Sequence, residues 1–66
     1  MTDSVPRLFA VIKTVVEDMH GIAVDGLRRD NARDMQAVLA SQLRMAVAAV
    51  DCHVGEIKRQ LGEAHD

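Results

Sequence analysis

The stretch His20-Gly21-Ile22-Ala23-Val24-Asp25-Gly26-Leu27-Arg28-Arg29-Asp30-Asn31 lies between two strongly apolar segments, and its reading decides the fold. Upstream, Val5, Leu8, Phe9, Ile12, Val15, Val16 and Met19 recur at three-and-four spacing, which predicts a helix over 5–20 with one apolar stripe. Ser4 or Asp3 can cap it, and Pro6 falls in the first turn, where a missing N–H costs nothing. Gly21 follows as a C-terminal stop. Ile22, Val24 and Leu27 then suit a short turn-helix over 23–28 that dips into the core, with Gly26 weakening it and Arg28-Arg29-Asp30 as a charged connection. Downstream, Asn31 is placed to cap a long helix over 32–51, with Asp34 in its first turn, where negative charge suits the helix dipole. Its inner stripe is Met35, Val38, Leu39, Gln42, Leu43, Ala46, Val47 and Val50. A last short helix over 54–61 carries Val54, Ile57 and Leu61 on one face and ends at Gly62, leaving 62–66 as the start of a following element. The expected fold is all-α: a small bundle of three main helices plus a short turn-helix in one domain, 1–66.

Sixty-six residues bury only about 60% of the surface of the unfolded chain, so any core is marginal. Cys52 is the one cysteine, which excludes an internal disulfide and fits a reducing, cytoplasmic setting. The apolar segment Leu8 to Val16 is broken by Lys13 and Thr14, and no apolar run reads as a membrane span or signal peptide. Net charge is −2, which does not advertise a nucleic-acid binder, but the cations are unevenly placed. Arg28, Arg29, Arg33 and Arg44 sit in the middle, and Lys58 and Arg59 near the end, so a local basic face is compatible with the acidic balance.

Few residues carry chemistry. His20, Cys52, His53 and His65 lack the paired spacing of a structural zinc site, and the neighbours Cys52 and His53 point about 100° apart on a helix. Cysteine nucleophiles usually meet their histidine through the fold rather than side by side in sequence. No Gly-rich phosphate loop is present, and Glu17-Asp18 occupy a solvated helix face. The expectation is therefore no enzyme, no metal, no cofactor and no small-molecule substrate. Met19, Met35 and Met45 read as core residues at helical spacing. The arginines are more informative. Cations at a helix N-terminus oppose its dipole, and the free N–H groups there suit an anion, so Arg28, Arg29 and Arg33 divide evenly between a solvated face and an anion site.

The ordered set Val16-Glu17-Asp18-Met19-His20-Gly21-Ile22-Ala23-Val24-Asp25-Gly26-Leu27, Arg28-Arg29 with Arg33, Ala40-Ser41-Gln42-Leu43-Arg44-Met45-Ala46-Val47, Val54-Gly55-Glu56-Ile57 and Leu61-Gly62 resembles the C-terminal DNA-binding domain of the bacterial replication initiator DnaA, in the Trp-repressor-like helix-turn-helix group. The resemblance runs from Val16 onward. It implies a helix-turn-helix whose second helix enters the major groove. It also implies a basic loop, here Arg28, Arg29 and Arg33, at the minor groove and backbone. Lys58 and Arg59 would face phosphate, Arg44 would assist, and His65 and Asp66 would open base readout. Three departures stand out. Ala40-Ser41-Gln42 replaces the family's Ala-Arg-Gln; Leu61-Gly62-Glu63-Ala64-His65-Asp66 replaces its Phe-Gly-Gly-Arg-Asp-His; and the sequence stops where the recognition helix would begin. The implied function is a double-stranded DNA-binding module of a bacterial or phage-derived transcription or replication regulator, here a fragment without its recognition helix. The rival is a helical protein-interaction or homodimerisation module that ignores DNA. Its warrant is the acidic balance and an apolar supply generous for the chain's size, with Val11, Met45 and Val47 outside a single-domain core. Neither reading calls for a membrane.

Overall fold

A computed structural model of the chain describes residues 4–62. They form two helices and no strand: α1, Ser4–Gly26, and α2, Arg33–Gln60, joined by residues 27–32. The all-α class expected from the sequence is present, but the three main helices and the turn-helix are not. Helices 5–20 and 23–28 are one continuous α1, and helices 32–51 and 54–61 are one continuous α2. Asp3, His65 and Asp66 lie outside the described residues, and so does all but Gly62 of the element expected at 62–66.

Each fusion has a physical cause. Gly21 costs a helix interior about 1 kcal/mol relative to alanine, which weakens a helix without ending it. The three-and-four spacing of Val5, Leu8, Ile12, Val15, Met19 and Ile22 runs straight across Gly21, and all six residues are half-buried. In α2 the series Leu39, Leu43, Ala46, Val50, His53 and Ile57 crosses Cys52 and His53 without a change of phase. No proline or glycine stands between Val50 and Val54, so the gap expected there from the residues is absent and α2 runs through it.

The two series face one another as the seam of an antiparallel hairpin, with the alternation of threes and fours typical of coiled-coil packing. At its open end, the Ser4 hydroxyl donates to Gln60 Oε1. At the loop end, Ala23, Leu27, Ala40 and Leu43 line one shallow groove. Between these anchors the register sets Phe9 beside Val54, Val16 beside Val47, and Ala23 beside Ala40.

The connection is built from local bonds. Leu27 N–H donates to Val24 O at 3.1 Å and Arg28 N–H to Asp25 O at 3.2 Å, tightening the end of α1. The Asn31 side-chain amide also donates to Asp25 O, at 2.7 Å. Asn31 therefore caps the end of α1 and not the start of α2, whose N-cap is Ala32 without a side-chain bond. Gly62 has φ +86°, and Leu61 and Gly62 N–H donate to Ile57 O and Arg59 O, so glycine closes α2 as the sequence implied.

The hairpin measures 47 × 21 × 11 Å over its Cα atoms. Two helices packed side by side along one seam make a single layer. Ile57, 5% exposed, is the one buried apolar residue among those described. The chain exposes 5295 Å², whereas a compact protein of its mass exposes about 4,100 Å².

Candidate functional site

The structure separates the cations that the DNA reading requires together. Arg28 and Arg29 lie in the connection and Arg33 opens α2, whereas Lys58 and Arg59 lie in its last turn. At 1.5 Å per residue, Arg33 and Lys58 are about 38 Å apart along the helix. Arg44 stands between them on α2. Their local settings account for several of these residues without any ligand. Because α1 extends to Gly26, Arg28 and Arg29 follow a helix C-terminus, where positive charge complements the dipole. Arg28 also pairs with Asp30, through Nε–Oδ1 at 3.3 Å and Nη2–Oδ2 at 3.2 Å. Lys58 and Arg59 suit the C-terminus of α2 in the same way. Arg59 bonds Glu56 through Nε at 3.1 Å and through Nη2, and Gln60 donates to the other oxygen of Glu56 at 3.0 Å. The Gln60 hydrogen bond and then the Arg59 guanidinium hold the Glu56 carboxyl below the usual carboxylate range. Arg33 has no such explanation, since it stands at the unfavourable end of its helix.

No group of three or more His, Cys, Asp or Glu residues is arranged to hold a metal among the described residues. Cys52 is exposed.

The feature that the sequence stripes blurred is a second apolar surface beside the seam. The residue following every other seam position in α1 is Phe9, Val16 and Ala23; in α2 it is Ala40, Val47, Val54 and Leu61. In an antiparallel pair these two flanks lie on the same side of the hairpin, as the groove shared by Ala23 and Ala40 confirms. Phe9 is 56%, Val16 50%, Val47 53% and Leu61 61% exposed. The sequence stripes placed Phe9 and Val16 in the core, and counted Val47 both in the inner stripe and as surplus, because a stripe wide enough for a bundle of three main helices includes them. A two-helix layer buries only its seam and leaves them facing outward. The opposite flank is more polar: Asp18, Asp25, Gln42 and Glu56 lie there with Val11, Met35 and Ala49, and Asp25 and Met35 share a groove. One broad side of the hairpin is therefore apolar along its length.

Beyond that face, on α2, stand Arg44, Asp51 and Lys58, seven residues apart, so they form one row beside Val47 and Val54. Among the described residues, neither Arg44 nor Asp51 makes a side-chain hydrogen bond or ion pair within the chain. The corresponding row on α1 contains Lys13, which pairs with Glu17 at 2.8 Å.

Contrary to the sequence expectation, α2 contains a window of mean hydropathy 1.2, long and apolar enough to cross a bilayer by length and composition alone. The core helix of a water-soluble bundle has the same composition. An arginine in the centre of such a span is unfavourable by about 2.5–3.5 kcal/mol.

Compared with family models, curated proteins and solved structures, the chain matches none.

Proposed function

We propose that the chain is a helical protein-interaction module, and that its docking surface is the apolar side made by Phe9, Val16, Val47, Val54 and Leu61. One observation carries this reading: the hairpin is one layer thick and leaves an apolar face open from end to end. Stable helical domains bury such faces between at least two layers, and contiguous exposed apolar surface on a soluble protein marks an interaction site. The area exposed beyond that of a compact protein of equal mass is about 1,200 Å². A partner in a standard interface contributes about 800 Å² per side, so covering this side of the hairpin would remove a large part of the excess.

The DNA-binding reading has weaker support. Arg28, Arg29 and Arg33 remain together at the loop end, and among the described residues Arg33 has no ion-pair partner to explain it. Lys58 and Arg59 are a helix length away, and no turn among the described residues divides α2 into a helix-turn-helix.

A photo-crosslinking amino acid at Val47, compared with one at Glu17 on the outer face, tests docking. Protein adducts at Val47 and none at Glu17 are expected; adducts at neither position, or equally at both, would overturn the reading. Duplex DNA titrated at several salt concentrations supplies the second arm. Tight binding with a log–log salt slope of about −3 or steeper, lost when Arg28, Arg29 and Arg33 are neutralised, would return the function to nucleic acid.

A further inference from the structure

We infer that the partner on the apolar face is a second copy of this chain, packed antiparallel about a two-fold axis at Val16 and Val47, with the two loops at opposite ends of a four-helix bundle. This rests on the docking role of that face and goes beyond it by naming the occupant and its orientation. Two independent features of the face point there.

The first is size. Along the face the side chains change from large to small: Phe9 with Val54 near the open end, Val16 with Val47 at the middle, Ala23 with Ala40 near the loop. A two-fold axis crossing the helices at the middle pair reverses the second hairpin. It sets Phe9 and Val54 against Ala23 and Ala40 of the partner subunit, at both ends, and the central valines against their own copies. Large residues then lie over small ones in the layers either side of the central valines. The alternative two-fold axis, running along the helices, brings the loops together. It opposes Phe9 and Val54 to themselves and leaves alanine facing alanine, which overpacks one end and leaves a void at the other.

The second feature is charge. In the reversed arrangement α2 lies antiparallel to its own copy, centred on Val47. Arg44 is three residues before that centre and Asp51 four after it, on the same outer edge, so each falls level with the other's counterpart. Arg44 meets Asp51 of the partner subunit, and by symmetry Asp51 meets Arg44 of the partner subunit. Neither residue has an ion-pair partner inside its own chain among the described residues. With the loops together, Asp51 would face Lys13 of the partner subunit, which Glu17 already engages, and Arg44 would face His20 of the partner subunit.

Sedimentation equilibrium of the full chain, with Arg44→Asp, Asp51→Arg and the double exchange, tests the pairing. Wild-type chain is expected to associate to twice its mass of 7.2 kDa. Each single substitution converts two attractions into two repulsions and should raise the dissociation constant about tenfold, and the double exchange should restore it. A spin label at Arg29→Cys, in a Cys52→Ser chain, reads the orientation. Labels about 40 Å apart are expected for loops at opposite ends, against less than about 25 Å for loops together. A dimer with the short distance, or one indifferent to all three charge variants, would overturn the arrangement. A chain that stays monomeric while Val47 crosslinks to another protein, or while the chain binds anionic lipid vesicles, would overturn self-pairing and leave the apolar face a docking site for something else.

Discussion

Glycine 21 and glycine 62 show how one residue type takes opposite roles. Gly62 sits at positive φ and ends α2, whereas Gly21 lies inside α1 with open space around its Cβ position. Replacing Gly21 with alanine should therefore stabilise the protein by about 0.5–1 kcal/mol in a thermal or urea melt. A loss of stability would mean that the helix does stop there. Glu56 yields a pH dependence. Its carboxyl is held low by Gln60 and Arg59, so the ionised form is favoured by folding. That stabilisation is full above the ordinary carboxylate value and fades as pH falls through the lowered one. The melting difference between wild type and Glu56→Ala should be present at neutral pH and shrink in acid. A difference that does not change with pH would remove the assigned role.

The elements themselves were partly legible. The apolar spacing placed helix in both halves of the chain but divided it into four elements where the structure has two. Its stripes took in Phe9, Val16, Met35, Val38, Gln42 and Val47, which are exposed, beside the seam residues Leu8, Ile12, Leu39 and Leu43. The boundaries were not legible, because Gly21 and the Cys52-His53 pair are compatible with either a break or a continuation, and only the partner helix decides which. Asn31 illustrates the same limit. Its type and place announce a cap, but the amide serves the end of α1 because that carbonyl lies within reach across the turn. Asn31→Ala should cost about 0.5–1.5 kcal/mol and expose the amides of the last turn of α1 to faster hydrogen exchange, leaving the first turn of α2 unchanged. Faster exchange confined to α2 would contradict this assignment. The candidate site was half legible: the sequence supplied surplus apolar residues, including Val47, but which of them face outward depends on the number of layers, and that follows from where the helices end.

For the whole molecule, the dominant fact is thickness. A hairpin one helix deep keeps little water from its side chains, and 23- and 28-residue helices with one buried apolar residue gain too little from each other to be a finished fold. Stability should therefore depend on protein concentration, since association and folding are coupled when a face completes its core only in a partner. The separation of Arg28, Arg29 and Arg33 from Lys58 and Arg59 belongs to this scale as well, for it follows from the length of one uninterrupted α2. Sedimentation equilibrium of the wild-type chain beside Val47→Asp, from about 1 to 100 µM, tests the central claim most directly. Self-association by wild type and a monomer for Val47→Asp are the expected result; a wild type that remains monomeric across that range, with stability independent of concentration, would contradict it.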